Sequence, residues 1–396
     1  MLFQIIDNKT ECHGIYFGGE IYSDLPMEEL SQTWGYTRHL ADYDIECASL
    51  YCSGKSLEDV CPSSLKEDME RVSKKMKALL LSLATAKISL DDFCFFDMVP
   101  ERFLLEYCHL KDEISAHVLS TYERPKNYDF LFQLSEVIEE IGARELNIDE
   151  KALRDQLVTI EARNFLKRVQ ASKDRALYNI FGTKTGRLTT KKNSFPILTM
   201  NRRFRKILKP NNDWFLELDF NAAELRTVLA LLNIKQPKED IHAWNIKNIF
   251  SGKDISRDEA KKKIFAWLYN PNAIHQTANL IYDRDSIKKK HFDGSAVHTV
   301  FDRTIECDDY RAVNYIIQST TSDLMLQQMI KVHDILREAK SHIAFCMHDS
   351  IVIDFSDSDR DLVLEIAKIF RRTIFGDFKI NIKAGKNYGK MRKLNV

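Results

Sequence analysis

Residues 214–220 read Trp-Phe-Leu-Glu-Leu-Asp-Phe, and residues 222–232 continue with the apolar spacing of a helix. Five of the first seven residues are apolar, which predicts a buried strand followed directly by a helix. Asp219 therefore lies where the strand ends, and a carboxylate at such a position can bind a hard divalent cation. An aspartate there can also simply cap the following helix, so Asp219 alone leaves both interpretations open.

A second carboxylate lies in a predicted hairpin near the end of the chain. Residues 343–346 and 351–355 are apolar runs that only Met-His-Asp-Ser separates, so Asp349 lies at the polar tip. Taken alone, Asp349 is an ordinary turn residue. Two carboxylates from separate elements can, however, hold two divalent ions about 3.5–4 Å apart, as phosphoryl transfer from a nucleotide requires. One ion activates the attacking hydroxyl and the other stabilises the departing pyrophosphate, and we expect Mg²⁺, with Mn²⁺ as a substitute.

A basic and aromatic stripe follows the first carboxylate. Arg257, Lys261, Phe265 and Tyr269 are spaced four residues apart, which keeps their side chains near one helix face. The basic end of this face can bind a triphosphate and the aromatic end can stack on a base. Alternatively, the helix is amphipathic, with aromatic side chains in the core and basic ones in solvent.

A basic loop precedes the predicted strand. Residues 185–188 read Thr-Gly-Arg-Leu, and Arg202, Arg203, Arg205 and Lys206 lie downstream. Basic residues on loops suit contacts with a phosphate backbone, although each of them can also be an ordinary solvated side chain.

Composition restricts the class of protein but does not reveal its partner. The 396 residues contain 58 basic and 58 acidic side chains, so a nucleic-acid partner can be argued only from local charge. The eight cysteines show no metal-ligand spacing and suggest reduced thiols. Without a signal peptide or a long apolar run, we expect a cytoplasmic protein with no membrane partner. Residues 63–173 have leucines at helical spacing, with one helix start predicted at residues 89–92.

In this order, the motifs resemble those of the family A DNA polymerases, the bacterial DNA polymerase I type. The family's motif A, a strand, Asp and a helix with Glu-Leu-Arg, is matched by residues 218–226, and motif C by His348-Asp349. The stripe from Arg257 to Tyr269 matches motif B. Further matches are Thr-Gly-Arg-Leu, Asp240-Ile-His242 and the segment from Asn314 through Gln318 to Asp323. The match covers residues 180–390 and looks most like the compact, phage-encoded enzymes without an exonuclease domain.

The resemblance implies an α+β right-hand polymerase fold with an antiparallel-sheet palm, helical fingers and a helical thumb. The expected domains are an N-terminal segment within or beside the palm (1–65), the thumb (66–177), the first part of the palm (178–239), the fingers (240–300) and the second part of the palm (301–396). If the protein is phage-encoded, the host cytoplasm is its expected location.

The resemblance also implies roles for individual residues in a template-directed DNA polymerase. Metal ligands would be Asp219, Asp349 and the backbone carbonyl of Phe220, with Lys261 as a general acid on the leaving pyrophosphate. The dNTP site would consist of Arg257, Lys261, Phe265, His242, Glu224 and Tyr269. Primer–template DNA would contact Arg187, Gln318, His348 and Asn314 in its minor groove. Accessory replication proteins are not identified by these motifs.

The chain departs from the family pattern at several positions. Ser350 stands where a Glu is common after the motif C aspartate, which leaves Asp349 as the only acid there. Ala222 replaces a common Gln, and Ile264, Ala266 and Asn270 replace an Asn and two glycines of motif B. These changes bear on fidelity and finger dynamics more than on the chemistry.

Other functions remain alternatives. A single-subunit RNA polymerase shares this palm, but its family tends to have Gly at the position of Glu224 and Met at that of Phe265. A non-catalytic DNA-binding subunit would be expected to lack a metal carboxylate or the motif B lysine, and an unrelated helical scaffold would carry the motifs by chance. Asp44-Ile-Glu46 resembles the Asp-x-Glu of proofreading exonucleases, but we interpret both acids as ordinary surface residues.

Overall fold

The computed structural model describes residues 4–6, 14–23, 30–41, 43–88, 93, 95–252 and 254–394, without the side chain of residue 96. The helix start predicted at residues 89–92 lies outside these ranges. The chain divides into two compact units, Met1–Ala143 and Arg144–Val396. The predicted thumb (66–177) extends across this division, and the domain assignment therefore stays a prediction.

The first unit combines short strands with long helices. Its strands are β1 (Gln4–Ile5), β2 (Ile15–Phe17), β3 (Glu20–Tyr22), β4 (Gln32–Thr33) and β5 (Glu46–Cys47). Its α-helices are α1 (Ala48–Tyr51), α2 (Leu57–Val60), α3 (Lys66–Thr85), α4 (Phe95–Met98), α5 (Glu101–Thr121) and α6 (Tyr128–Ala143), with 3-10 helices at Arg38–Leu40 and Ser63–Leu65. Apolar residues of α1, α2, α3 and α5 form a common core.

The second unit contains the sequence motifs. Its strands are β6 (Asn147–Ile148), β7 (Tyr178–Asn179), β8 (Thr189–Thr190), β9 (Leu208–Lys209), β10 (Trp214–Phe220), β11 (Ala296–His298), β12 (Thr304–Glu306), β13 (His342–Met347), β14 (Ser350–Phe355), β15 (Arg372–Thr373), β16 (Gly376–Asp377), β17 (Ile380–Gly385) and β18 (Arg392–Leu394). Its α-helices are α7 (Ile160–Gln170), α8 (Ala223–Leu231), α9 (Ile241–Asn248), α10 (Arg257–Tyr269), α11 (Gln276–Ile281), α12 (Arg284–His291), α13 (Asp309–Leu336) and α14 (Leu362–Arg371). Its 3-10 helices are Glu150–Gln156, Ile197–Thr199, Arg202–Ile207 and Asp357–Asp359.

A five-stranded antiparallel sheet in the order β13-β14-β10-β17-β18 is the centre of this unit. The central strand β10 is buried over most of its length because both of its edges are paired and helices pack against the sheet. The predicted hairpin is confirmed, since β13 and β14 pair with Met347 opposite Ser350.

Helices α8 to α13 pack around a second core in this unit. Helix α10 begins with a capping box, in which the Ser256 side chain accepts from the Glu259 amide and the Glu259 carboxylate accepts from the Ser256 amide. Ile264, Trp267 and Leu268 of α10 are buried in this core. The helix therefore exposes its opposite face, which includes Lys261. No helix in the described ranges is long and apolar enough to cross a membrane.

Candidate active site

The sheet brings the two predicted carboxylates together. Asp219, on β10, pairs in register with Ser350 of β14, and Asp349 immediately precedes Ser350. The backbone amide of Phe220 is 3.5 Å from the carbonyl oxygen of Asp349. The helix-cap interpretation of Asp219 is wrong, because Ala222 occupies the cap position of α8, in a left-handed conformation with φ of 53°.

Both carboxylates lie in an environment that disfavours their charge. Burial raises the pKa of Asp219 to about 6, and the charges of Glu217 and Asp349 add to the effect, while Asn381 donates to its Oδ2 at 3.1 Å. Burial also raises the pKa of Asp349, against the positive charges of Arg187 and Lys261. Two neighbouring carboxylates whose charged forms are disfavoured suit a divalent cation, because its positive charge would stabilise both charged forms. Within the described ranges, no group of three or more His, Cys, Asp or Glu side chains is placed to hold a metal.

Glu224, on the first turn of α8, is held by the basic loop. Nη2 of Arg187 donates to Oε1 of Glu224 at 2.5 Å, and the carboxylate side chain is only 12% exposed. Burial raises the pKa of Glu224, whereas Tyr269 and Arg187 oppose the increase. Burial and the Glu224 charge in turn raise the pKa of Tyr269. The site therefore joins the loop before the sheet, helix α8 and the end of α10.

A buried ion pair supports the loop that carries Arg187. Arg303 donates twice to Asp323, at 2.9 and 2.7 Å, and the Asp323 side chain is fully buried. Gly186 lies directly against this pair with a φ of +75°. A Cβ atom built on Gly186 would be 2.6 Å from Nη2 of Arg303 and 3.0 Å from Oδ1 of Asp323. Glycine is thus required here both for its backbone conformation and for lack of space.

We expect Gly186→Ala to lower the melting temperature by about 5–10 °C, since it must disturb a buried ion pair. It should also lower Arg187-dependent activity. Gly252→Ala is the matched control, because Gly252 has a φ of +79° but nothing within 4 Å of its built Cβ. Thermal melts of the two variants separate backbone strain from steric overlap, and an equal loss in both would contradict the role of the Arg303–Asp323 pair.

Arg257, at the first turn of α10, is bound by an acid. Its Nε and Nη2 donate to the two oxygens of Asp240 at 3.1 and 2.8 Å. Asp240 also caps α9 and accepts from Asn221, which follows Asp219 by two residues. Burial opposes the ionised form of Asp240, but these hydrogen bonds hold its pKa well below the usual range. Asp240 therefore connects β10, α9 and α10.

Lys261 and His242 complete the basic part of the site. Lys261 is exposed, and among the described residues it makes no hydrogen bond or ion pair, so its ammonium group is available to a ligand. His242 is buried, and its Nδ1 has no hydrogen-bond partner among them. Burial and the charge of Arg257 lower the pKa of His242 to about 4, so the ring is neutral at pH 7. Phe265 stacks on Tyr269 with ring centroids 6.1 Å apart and packs partly against the helical core.

Comparison with known proteins agrees with this geometry. The chain is 24% identical over 273 residues to a DNA polymerase I of Chloroflexus aurantiacus, a match covering 55% of this chain and 29% of that protein. It is 26% identical over 291 residues to a DNA polymerase of Bacillus phage SP01, covering 54% and 31%. The chain thus spans less than a third of the length of these relatives. No family model matches the sequence.

A solved structure shows the same fold. It is described as the POL domain of Pol1 from M. smegmatis in complex with DNA primer-template and dNTP. The likeness has a TM-score of 0.56 at 12% identity and covers 73% of this chain and 76% of that one. The chain is thus similar in sequence to DNA polymerase I proteins and shares the fold of the Pol1 polymerase domain. The polymerase fold excludes an unrelated helical scaffold.

The four residues predicted from the sequence to contact DNA differ in exposure. Arg187 is bound to Glu224, His348 is exposed with a φ of 49°, and Gln318 is half-buried. Oδ1 of Asn314 is buried without a hydrogen-bond partner among the described residues. The hairpin that carries His348 is anchored by Tyr178, whose hydroxyl donates to the Cys346 carbonyl at 2.7 Å and accepts from the Cys346 amide at 3.0 Å.

Several supporting residues of the candidate site carry no sequence signal of their own. Asn381 and Arg303 reach the site from β17 and from the turn before β12, outside every motif. Asp240 and Asp323 lie in matched motifs, but their partners are not visible from spacing. In the other unit, Asp44 is exposed, whereas Glu46 accepts from the Tyr51 hydroxyl at 2.9 Å and lies near Arg124.

Proposed function

We propose that this chain is a template-directed DNA polymerase that adds dNTPs to a primer 3′ end, without a proofreading exonuclease. The observation that carries the proposal is the pairing of β10 with β14, which places Asp219 beside Asp349 within the electrostatic reach of Lys261. The names of the relatives and the fold of the Pol1 domain support it.

The reaction assigns a task to each part of the site. Asp219 and Asp349 would hold divalent cations, and the Phe220 carbonyl would be a further ligand. We expect Mg²⁺ because all of these ligands are oxygen atoms. When bound, such cations activate the primer hydroxyl and stabilise the departing pyrophosphate. Lys261 would bind the triphosphate and donate a proton to the leaving group. Arg257 and the neutral His242 would bind other phosphate oxygens.

The test is primer extension on a defined template, with Mg²⁺ or Mn²⁺ and with either dNTPs or rNTPs. Templated addition of dNTPs is expected. Preferential use of rNTPs would favour the RNA polymerase alternative, and binding without extension would favour a non-catalytic subunit. A mismatched primer incubated without nucleotides tests proofreading. Metal-dependent digestion that Asp44→Ala abolishes would contradict the proposed absence of proofreading. The contacts of Glu46 with Tyr51 and Arg124 support this absence, because they already occupy the Glu46 carboxylate.

The ion pair of Arg257 with Asp240 must compete with a triphosphate for the same guanidinium. We expect Asp240→Asn to lower the KM for dNTPs roughly two- to fivefold with little change in kcat, the range of a partly exposed ion pair. Asparagine keeps a cap acceptor for α9, so the fold should be retained. Arg257→Ala should raise KM instead.

Asp258→Asn is the control for the Asp240 variant. It removes the same charge from a neighbour of Arg257 whose side chain is 86% exposed and 3.9 Å away. Steady-state kinetics of the three variants test the idea. An unchanged or increased KM in Asp240→Asn, with the fold intact, would show that Asp240 does not compete for Arg257.

Sugar selection is assigned to Glu224 and Phe265. The resemblance places the motif A glutamate under the sugar and against the motif B aromatic. Arg187 holds Glu224 in place from the side, and Phe265 stacks on Tyr269, so neither side chain can move away freely. A ribose 2′-hydroxyl would collide with this pair or remain buried without a hydrogen bond.

Glu224→Ala should therefore raise the rNTP/dNTP preference ratio roughly five- to hundredfold. This factor corresponds to the free-energy cost of one buried polar group without a hydrogen bond. Glu224→Gln keeps the shape without the charge and should retain most of the discrimination.

Because Phe265 lacks a phenolic hydroxyl, the wild type should discriminate against dideoxynucleotides, and Phe265→Tyr should relax this discrimination. If single-nucleotide incorporation assays show both ratios unchanged while stability falls, the two residues have only a packing role.

A further inference from the structure

A groove of about 960 Å³ lies on the second unit, outside the proposed active site. One wall is the loop after α8, which includes residues 233–238, and the other consists of residues 371–380 between α14 and β17. Two hydrogen bonds hold these walls: the Asn221 amide donates to the Lys379 carbonyl at 2.9 Å, and the Lys379 ammonium donates to the Lys238 carbonyl at 3.1 Å. The groove is therefore pre-formed rather than opened by a ligand.

The charge of the groove is strongly positive although the chain as a whole is neutral. Its lining contains the basic residues Lys235, Lys238, Arg371 and Lys379 and one acid, Asp377. That acid is already bound by Arg371 at 2.6 Å. Lys235 and Lys238 are exposed and make no ion pair among the described residues. The groove thus presents unneutralised lysines to a ligand.

The same groove exposes aliphatic side chains. Ile374 is 57% exposed and Ile234 is 37% exposed, and both line the groove beside its basic residues. Phe375 is half-buried and Phe378 is buried in the floor. Apolar surface ringed by cations matches a ligand that has both acidic and apolar groups.

We propose that this groove binds an acidic peptide segment of a partner protein, through carboxylates on Lys235 and Lys238 and apolar anchors on Ile234 and Ile374. Single-stranded nucleic acid is the less suitable ligand, because it binds by stacking its bases on exposed aromatic rings. Here the exposed apolar side chains are isoleucines, whereas Phe375 is half-buried and Phe378 is buried. The charge complementarity and the aliphatic surface together favour a peptide.

The groove is physically connected to the proposed active site. Arg226 is fully buried and donates to the Pro237 carbonyl at 3.0 Å and to Gln236 at 3.3 Å in the groove wall. Its other donors bind the carbonyl and the side chain of Asn221, at 2.8 and 3.2 Å. A peptide in the groove would contact the loop that Arg226 fastens to the end of β10. A bound partner would therefore sit beside the polymerising site without covering it.

The test uses fluorescence anisotropy with the whole chain and a labelled twelve-residue peptide that alternates glutamate with leucine and phenylalanine. We expect a dissociation constant on the order of 10 µM that weakens as salt rises. Lys235→Glu with Lys238→Glu should weaken binding at least tenfold, and Ile374→Ser three- to fivefold. Lys289→Glu with Lys290→Glu, two exposed lysines of α12 outside the groove, should leave binding unchanged.

The remaining outcomes each contradict the proposal. Equal binding of a peptide with lysine in place of glutamate would show that charge does not select the ligand. An equal loss in the α12 control would indicate general electrostatic attraction. Tighter binding of a twelve-nucleotide oligo(dT), lost in the same groove variants, would identify a nucleic-acid surface instead.

The folding control is primer extension by the groove variants, which should match that of the wild type.

Discussion

Asp219→Ala and Asp349→Ala should each reduce primer extension about a thousandfold or more while primer–template binding stays nearly intact. Both carboxylates are half-buried in an environment that disfavours their charge, and the pKa of Asp219 is raised to about 6. A bound cation is the partner that makes such a pair favourable, and its loss removes several kcal/mol of transition-state stabilisation. Neither side chain is assigned to DNA, so binding should survive.

Controls can separate this effect from misfolding. Asp219→Asn keeps the size of the side chain, and it should lose extension as Asp219→Ala does while melting like the wild type. Ser350→Ala should have a mild effect on extension, because the Ser350 hydroxyl donates to the Met347 carbonyl at 3.2 Å and is not assigned to the metal site. Single-turnover extension and an anisotropy titration with labelled DNA are the measurements. Substantial extension by either aspartate variant would remove that residue from the metal site.

Lys261→Ala should lower the maximal rate of nucleotide addition roughly 10²–10⁴-fold, the usual contribution of a general acid. The ammonium group is exposed and unpaired among the described residues, and its charge acts on both Asp349 and His242. Its charge therefore acts on both the proposed metal site and the proposed triphosphate site. Arg257→Ala, by contrast, should mainly weaken nucleotide binding.

The neighbouring lysines provide controls for this prediction. Lys262 and Lys263 are exposed on the same helix but point about 100° and 200° away from Lys261. Their alanine variants remove the same charge and should keep nearly wild-type rates. Rapid-quench single-turnover kinetics distinguish the chemical step from binding. Wild-type kinetics in both Lys261→Ala and Arg257→Ala would show that α10 does not bind the triphosphate.

Local sequence was sufficient to predict the strands and the helix that carry the proposed site residues. The apolar run before Asp219 predicted β10, and the two apolar runs around Asp349 predicted the β13–β14 hairpin. The four-residue spacing from Arg257 predicted one face of α10, and the structure has this helix from Arg257 to Tyr269. These predictions succeed because the periodicity of apolar residues in strands and helices can be recognised in a short stretch of consecutive residues.

The division of the chain into compact units is not visible in the sequence. The resemblance implied a thumb from residue 66 to 177, which stays a prediction, and contacts divide the chain after Ala143. A helical pattern shows that residues form helices, but it does not show against which core those helices pack. The division depends on long-range contacts that no window of sequence contains.

The proposed site residues and the elements on which they lie could be predicted from the sequence. Their partners became visible only in the folded chain: Asp240 binds Arg257, Asn381 binds Asp219, and Arg303 binds Asp323 beneath Gly186. These contacts join residues 17, 162 and 20 positions apart. Helix and strand periodicity relates only near neighbours in sequence, so such pairs arise when packing brings distant elements together and burial requires each charge to find a partner.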